Sequence, residues 1–197
     1  MSDDALAAEW RAVRDEIGSE LPENDGSRMV DTVDRSSIRR WCEALEFGCE
    51  LHCFDDIAQR HGFRAVTAPY SAMASYALPA LWEPGDAPVF AESGLNAQPV
   101  RSPVAAIELP GAPKVTGFFA TEIENQYMRP LVVGDQVRRG ARRLIDCVPK
   151  RTRVGRGAFV TIETTLLDQH DELIAVNRST YFYYRPNQEL GDVDNAH

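Results

Sequence analysis

Residues 158–184 read AFVTIETTLLDQHDELIAVNRSTYFYY, and this stretch decides the fold class. β-Branched and aromatic residues crowd both sides of Asp168-Gln169-His170-Asp171, a sequence typical of a tight turn. The stretch therefore predicts two strands, Ala158 to Leu167 and Leu173 to Tyr184, that pair as an antiparallel hairpin.

The residues before the hairpin predict two further strands. Val115 to Gln126 is rich in Val, Thr, Phe and Ile. Gln136 to Val148 follows a turn that contains Arg129-Pro130 and Val133-Gly134-Asp135. Strands that follow one another in this way, joined by short connections, indicate an antiparallel sheet.

The N-terminal part of the chain instead shows helical periodicity. Asp4 to Glu20 predicts an amphipathic helix that ends near Gly18. A second helix is predicted to begin at Ser36 or Ser37, both good N-caps, and to break at Gly48. The predicted buried faces carry Leu6, Trp10, Val13 and Ile17 in the first helix, and Ile38, Trp41, Cys42 and Leu45 in the second.

Two shorter helices are predicted to follow. Asp55 to His61 is expected to end at Gly62. Pro69 opens Tyr70 to Leu78, which is small and apolar on most sides and therefore predicts a buried central helix, stopped by Pro79. Helices followed by a run of strands indicate an α+β fold with a helix packed on one face of an antiparallel sheet.

A long loop separates the helices from the strands. Seven of the twelve prolines lie between Pro79 and Pro113. A loop of this length is often a lid or a binding loop, and the alternative is a plain surface excursion. We therefore divide the chain into an acidic N-terminal helix and hinge (1–34), a main domain (35–186) that contains this loop (79–113), and a polar tail or linker start (187–197).

Composition excludes several classes of protein. The chain has 197 residues, is 44% hydrophobic and carries a net charge of −9, so it is too apolar for a disordered protein and too acidic for a general nucleic-acid binder. It contains no apolar run near the roughly 20 residues of a membrane helix. The acidic start, Met1-Ser2-Asp3-Asp4, is unlike an export signal, so we expect a cytoplasmic protein.

Basic residues are concentrated in one region. Gln136 to Arg156 contains eight Lys and Arg against one acid, Asp146. This run indicates a local anionic ligand, or equally a solvated strand face that balances the acidic ends of the chain.

Cysteine and histidine spacing does not predict a metal site. Cys49, His52 and Cys53 lie within five residues, but Cys147 stands alone and the second ligand pair of a zinc site is missing. We expect buried thiols, no metal and no cofactor.

The segment around His52 resembles a known family. Glu46-Phe47-Gly48-Cys49-Glu50-Leu51-His52 is followed by Gly62 and by Ala68-Pro69, and Val154-Gly155-Arg156-Gly157 precedes a later strand. In these pieces and their order, the chain resembles the MaoC-like family of hot-dog-fold enoyl-CoA hydratases and (3R)-hydroxyacyl dehydratases. The resemblance implies an antiparallel sheet wrapped around a central buried helix, with the N-terminal helices as an extension.

The chain departs from this family at its catalytic pair. The resemblance implies an Asp five positions before His52, but Phe47 stands there and cannot take or give a proton. Glu46 is adjacent, and we expect it to point elsewhere if the backbone geometry is kept. No residue is therefore firmly catalytic, and His52 and Glu46 are the weak candidates.

The resemblance also implies a partner. Hot-dog units pair through their sheets, the substrate tunnel lies between two units, and heteromeric members combine a subunit that bears the Asp-His dyad with a degenerate one. The layout is most similar to the MaoC-like half of an actinobacterial steroid side-chain enoyl-CoA hydratase. We therefore expect a heterodimer or heterotetramer of a hydro-lyase in lipid or sterol catabolism, in which the N-terminus of the central helix polarises the thioester carbonyl.

Candidate ligand contacts follow from this expectation. Lys150, Arg151, Arg153 and Arg156 are the candidates for the phosphates of an acyl-CoA thioester. Trp82, Phe90 and Met73 are the candidates for the acyl pocket. Arg138, Arg139, Arg142 and Arg143 are expected to face solvent or the partner.

Two other functions stay open. In the first, the chain is a self-sufficient homodimeric hydratase or dehydratase that uses His52 and Glu46. In the second, it is a non-enzymatic protein that binds acyl-CoA or acts as a scaffold. A scaffold would bridge a pathway thiolase or aldolase through the acidic N-terminal helix and tail.

Overall fold

The structure, a computed structural model, describes residues 3–22, 31–78, 80–90, 97, 99–100 and 107–187. The tail predicted after Asn187, and most of the predicted loop between Phe90 and Ile107, lie outside these residues. In the described part, short helices precede a four-stranded antiparallel sheet, which confirms the α+β fold. None of its helices is long and apolar enough to cross a membrane.

The helices are short and the strands are long. The helices are α1 (Asp3–Glu9), α2 (Arg11–Asp15), α3 (Arg35–Leu45), α4 (Asp55–Arg60) and α5 (Met73–Tyr76), with 3-10 turns at Glu50–His52 and Tyr70–Ala72. The strands are β1 (Gly117–Tyr127), β2 (Val137–Arg151), β3 (Gly155–Asp168) and β4 (Leu173–Pro186).

The sheet has the order β1-β4-β3-β2, and every neighbouring pair is antiparallel. All four predicted strands are confirmed, and the predicted turn joins β3 to β4 with Asp171 in the left-handed region (φ 64°). The first residues of β3 pass very close to β4. A Cβ at Gly157 would overlap the carbonyl oxygen of Tyr183, so only glycine fits there.

One face of the sheet carries the core, and we call it the inner face. It is covered by two groups of buried residues. The first core cluster comprises Val33, Ile38, Cys42, Val66, Ala68, Met73, Ala77, Leu131, Val137, Leu166, Ile174 and Ala175. The second core cluster comprises Leu6, Trp10, Val13, Leu21, Leu144, Cys147, Ala158, Val160, Ile162 and Tyr183.

The N-terminal helices pack on the sheet through the second core cluster. The helix predicted to Glu20 is interrupted at Trp10 and ends at Asp15, and Ile17, predicted to be buried, is 44% exposed. The chain then runs along β2 instead of continuing as a helix. Gly18 N donates to Leu144 O (2.8 Å), and Leu21 N donates to Arg142 O (2.9 Å). Residues 18–21 therefore cover the outer edge of β2.

The opposite edge of the sheet is open among the described residues. β1 pairs with β4 on one side only, and nine of its eleven residues are exposed. Phe118 (39%), Phe119 (42%) and Ile123 (61%) expose large apolar side chains on this strand. An unpaired strand with exposed apolar side chains is a natural site for pairing with another chain.

Helix α3 begins and ends differently from its prediction. Asp34, not Ser36 or Ser37, is the N-cap, because its carboxylate accepts hydrogen bonds from both of their backbone N–H groups. The helix ends at Leu45, before Gly48, since Glu46 adopts the left-handed conformation (φ 51°). Leu45, predicted to be buried, is 60% exposed.

The predicted central helix over 70–78 is shorter and less buried than expected. A 3-10 turn (Tyr70–Ala72) leads into four α-helical residues, and only Ala72, Met73 and Ala77 are buried. Such a short helix carries only a small fraction of a macrodipole, so polarisation of a thioester at its N-terminus would depend on individual backbone N–H groups and stays a prediction.

An ionic network ties the turn before β2 to the hairpin of β3 and β4. Arg129 donates to Asp135 Oδ2 (2.8 Å) and to Asp168 Oδ2 (2.6 Å), and both carboxylates are buried. Arg64 also pairs with Asp135. Buried charges require such partners, so this network fixes the predicted turn around Gly134.

Candidate functional site

The turn after α3 brings Phe47 and His52 together. Because Glu46 is left-handed, the chain reverses and Phe47 N donates to Cys42 O (2.9 Å). The 3-10 turn Glu50–His52 then returns the imidazole to this place. The ring centroids of Phe47 and His52 are 5.3 Å apart. The residue that the family resemblance placed opposite His52 as an Asp is thus an aromatic contact.

His52 is held by Thr67. Its Nδ1 lies 2.7 Å from the backbone oxygen of Thr67 and 3.0 Å from Thr67 Oγ1. A carbonyl oxygen only accepts, so Nδ1 carries the proton in this bond and the neutral ring leaves Nε2 as its acceptor. The Thr67 hydroxyl donates its own proton to Leu51 O (3.3 Å), so its Oγ1 acts as a hydrogen-bond acceptor toward Nδ1 of His52.

A cavity of about 580 Å³ lies beside these two rings. Phe47, His52 and Cys53 line it, together with Arg35, Arg39 and Glu46. Glu46 and His52 both line this cavity, and the expectation that the Glu46 carboxylate points away from His52 stays a prediction. Arg35 pairs with Asp55 and Arg39 with Glu43, so the two guanidinium groups at this cavity are already neutralised.

The cysteines near the cavity are free thiols. Cys42 is buried and Cys53 is exposed. Burial raises the pKa of Cys42, and negative charge on Cys53 or Cys49 would raise it further. Among the residues that the structure describes, no group of three or more His, Cys, Asp or Glu could hold a metal ion.

The four candidates for binding phosphate do not form one patch. Lys150 lies on the outer face, above the ring of Phe159 (5.9 Å), beside a second cavity that Glu122 and Asp146 also line. Arg151 and Arg156 are opposite each other in the register, and Arg185 extends this row onto β4. Arg153 lies in the turn that connects β2 to β3.

The acidic helix α1 already pairs with part of this arginine row. Arg151 Nε lies 3.4 Å from Asp3 Oδ1, and Arg185 Nη2 lies 2.9 Å from Glu9 Oε2. Arg156 is also ten positions along β3 from Leu166 of the first core cluster, about 33 Å in an extended strand. His52 lies beside that cluster, so the arginine row and the His52 cavity are at opposite ends of the sheet.

The three candidates for the acyl pocket are in different surroundings. Met73 is buried in the first core cluster. Trp82 (50%) and Phe90 (53%) are exposed in the described part of the long loop. Their role in an acyl pocket stays a prediction.

The arginines of β2 are not all on the surface as expected. The register advances three residues on β2, from Arg139 to Arg142, while β3 advances two, from Leu166 to Thr164. This bulge turns both arginines to the inner face, where Arg142 is buried. Arg138, in contrast, pairs with Asp171 (2.5 Å) near the surface.

Sequence reasoning missed two groups of residues. Thr67 holds His52 but lies fifteen residues away, and no local pattern signals that contact. Arg142 could have been found from Gly140-Ala141, since two small residues inside an otherwise regular strand are compatible with a bulge.

Comparisons with known proteins agree with this geometry. A sequence family described as "FAS1-like, dehydratase domain region" matches residues 26–177. A curated relative from Thermomonospora curvata, "Probable enoyl-CoA hydratase alpha subunit", is 25% identical over 164 residues, which are 82% of this chain and 48% of the relative. The chain thus spans about half the length of that relative.

Solved structures show the same fold. A chain of the ChsH1-ChsH2 complex from Mycobacterium tuberculosis has a TM-score of 0.61 at 20% identity, covering 93% of this chain and 98% of that one. A MaoC-like dehydratase from Rhodospirillum rubrum has a TM-score of 0.53 at 18% identity, covering 87% and 94%. The predicted hot-dog fold is confirmed. The family match over most of the domain and this shared fold lead to one conclusion: the chain belongs to the FAS1-like dehydratase-region family and has the hot-dog fold of the MaoC-like dehydratases.

Proposed function

We propose that the chain is a subunit of a heteromeric enoyl-CoA hydratase that shapes the acyl-CoA tunnel, while a MaoC-like partner supplies the Asp and His. The observation that carries this proposal is Phe47, whose ring contacts His52 at the position expected for the Asp. A hydrocarbon ring can neither activate water nor move a proton, so we assign this chemistry to residues of another chain.

In the proposed reaction, the partner's dyad activates a water molecule. Its oxygen bonds to C3 of the 2,3-enoyl thioester, a proton is delivered to C2, and the double bond becomes single. The direction is reversible in principle, and dehydration breaks the same bonds. Backbone N–H groups at the N-terminus of the turn and helix over residues 70–76 would polarise the thioester carbonyl.

The edge of β1 supports a partner. It is the open edge among the described strands, and it exposes Phe118, Phe119 and Ile123. Two similar proteins carry names that indicate assemblies of unlike chains. One is called an "alpha subunit", and the other is a chain of the ChsH1-ChsH2 complex. Pairing of this edge with a second hot-dog unit would bury those apolar side chains.

The finer parts of the proposal concern the substrate. We propose a bulky acyl group, such as a steroid side chain in sterol catabolism, because Trp82 and Phe90 expose apolar surface on the long loop. CoA phosphates would bind at Lys150, Arg151, Arg153 and Arg156. Of these, Arg151 would have to exchange Asp3 for a phosphate. The cytoplasmic location expected from the sequence is part of the same proposal.

The test combines this chain with a MaoC-like protein that carries the dyad. Native mass spectrometry and an enoyl-CoA hydration assay are applied to each chain alone and to the mixture. We expect a mixed assembly that is active, and no turnover from this chain alone. Turnover by this chain alone would overturn the proposal.

A second candidate function is a homodimeric hydratase that uses its own carboxylate. The observation that favours it is that Glu46 and His52 line one cavity. Under this function, the chain alone would hydrate enoyl-CoA, and both Glu46→Gln and His52→Ala would abolish the activity. Wild-type activity in either variant would exclude it.

The scaffold alternative predicts no heat on titration with acyl-CoA. In a scaffold, the acidic helix α1 would contact the pathway enzyme, but two of its carboxylates already form ion pairs within the chain, Asp3 with Arg151 and Glu9 with Arg185.

A further inference from the structure

The inner face of the sheet is not apolar throughout. Between the two core clusters, one row across the strands is polar, because Arg142, Thr164, Asn177 and Asn125 are partners in the register from β2 to β1. The rows on both sides are mostly apolar. Leu144 and Ile162 lie in the row toward the second core cluster, together with Ser179. Leu166 and Ala175 lie in the row toward the first, together with Arg139.

Arg142 is the unusual member of this row. It is only 8% exposed, and its Nη1 is the one buried side-chain polar atom without a hydrogen-bond partner among the described residues. Arg139 lies on the same face through the bulge and is partly buried. Among the residues that the structure describes, neither guanidinium meets a carboxylate.

A phenol lies within electrostatic reach of both arginines. Burial lowers the pKa of Arg142, and the Tyr181 and Tyr183 hydroxyls oppose this. Burial also lowers the pKa of Arg139, the positive charge of Arg142 lowers it further, and Tyr181 again opposes the change. Tyr183 already donates to Ile107 O (3.1 Å), whereas Tyr181 lies on the inner face opposite Val160 and packs against the second core cluster.

A buried cation and a partly buried cation, with no anion beside them among the described residues, are unstable neighbours. Each loses hydration, and each repels the other. A carboxylate corrects both effects, because its two oxygens match the planar fork of a guanidinium and its charge neutralises the pair. The apolar rows on either side would contact the hydrocarbon part of the same ligand.

We propose that Arg142 and Arg139 bind a carboxylate carried by an apolar group, on the inner face between the two core clusters. The ligand is either a free aliphatic acid or an acyl-CoA whose acyl chain bears a distal carboxylate. The second source rests on the proposed function, whereas the site itself does not.

The experiment is isothermal titration of the full chain with matched probes. Decanoate is compared with decanamide, and decanoyl-CoA with the CoA thioester of decanedioic acid. We expect the carboxylate member of a pair to bind roughly tenfold more tightly or better, since charge-assisted fork contacts are strong. A preference within the free acids points to an aliphatic acid, and a preference within the thioesters points to a carboxylated acyl group. Equal affinity within both pairs would overturn the site.

Arg142→Met tests the residue and the fold together. We expect this variant to lose the carboxylate preference while its urea unfolding midpoint stays equal to or above that of the wild type, because an unsatisfied buried charge is removed. A lower midpoint would mean that Arg142 is satisfied within the fold, and it would contradict the proposal. A measurement on the wild type alone adds a check, since decanoate and not decanamide should raise its melting temperature.

This binding test uses no catalytic readout. An inactive mixed assembly would remove the proposed hydratase function and leave the carboxylate site standing. An active assembly whose chain shows no preference for the carboxylate probes would keep the proposed hydratase function and remove the carboxylate site.

Discussion

The imidazole of His52 is fixed between two contacts, the ring of Phe47 at 5.3 Å and the backbone oxygen of Thr67 at 2.7 Å. The first is apolar and the second only accepts. Neither contact can take a proton from the imidazole in exchange for one delivered to a substrate. Both contacts orient the ring beside the cavity and leave Nε2 as its accepting nitrogen, and the lack of a carboxylate at either contact is the reason to expect a non-catalytic His52.

His52→Ala should leave the hydration rate of the mixed assembly within about twofold, because the proposed dyad belongs to the partner. The variant should lose about 1 kcal/mol of unfolding free energy with the bond to Thr67. The hydration assay and urea unfolding measure the two effects. A hundredfold loss of rate would show that His52 takes part in the chemistry.

Asp34→Ala should destabilise the chain by about 1 kcal/mol, because α3 loses its N-cap. Asp34→Asn is the matched control and should retain most of the stability. Hydrogen bonds from Ser36 and Ser37 hold the pKa of Asp34 at about 2. The carboxylate therefore contributes its full stability above its unfolded pKa of about 3.9, and this is lost as the pH falls through about 2. Urea unfolding of wild type and Asp34→Asn at pH 5 and pH 3 should show the larger decline in the wild type.

Asp168→Asn should cost about 3 kcal/mol, since it leaves Arg129 without one of its two buried partners. Burial alone would raise the pKa of Asp168, but the N–H of His170, Arg129 and the N–H of Glu172 outweigh it and lower the pKa. Its contribution to stability is therefore complete above about pH 4 and falls at lower pH. Asp171→Asn, which breaks only an exposed pair with Arg138, should cost less than about 1 kcal/mol. Equal losses in the two variants would mean that the network does not act as a buried unit.

Glu46→Gly should stabilise the chain by about 1 kcal/mol, because glycine adopts the left-handed conformation without the penalty of a Cβ. Glu43→Gly, within α3, is the contrasting variant and should destabilise by a similar amount. Thermal unfolding of both measures the difference. If Glu46→Gly is more stable and the assembly stays active, Glu46 has no catalytic role.

Ile123→Arg should weaken the mixed assembly by about tenfold or more, because it places a charge on the open edge of β1. Val154→Arg is the control, since Val154 is also an exposed apolar residue (37%) but lies in the turn between β2 and β3. Native mass spectrometry of each variant with the partner gives the fraction assembled. Unchanged assembly of Ile123→Arg would move the contact away from β1.

The sequence predicts the sheet well because strand signals are local. Dense β-branched and aromatic residues mark β3 and β4, and the turn between them is found at the predicted place. Pairings between distant residues are not local. Nothing near Gly18 indicates that it will bond to Leu144, so the predicted helix runs too far and Ile17 is predicted to be buried.

The candidate site follows the same division. Phe47 and His52 are close in sequence, and their proximity is predicted. The left-handed conformation of Glu46 is not predicted, because glycine, not Glu, usually takes that position at the end of a helix. The inner-face arginines were missed because a bulge changes the alternation of side chains, and the bulge depends on the partner strand.

One edge of the sheet is covered and the other is open among the described residues, and this difference limits how many chains can join. Residues 18–21 occupy the edge of β2, while the described part of the chain leaves β1 unpaired. A unit with two reactive ends can polymerise, whereas a unit with one reactive end can only terminate. Each sheet that grows from β1 therefore stops after one addition if the added unit is capped in the same way, and the product is a closed pair rather than a fibre.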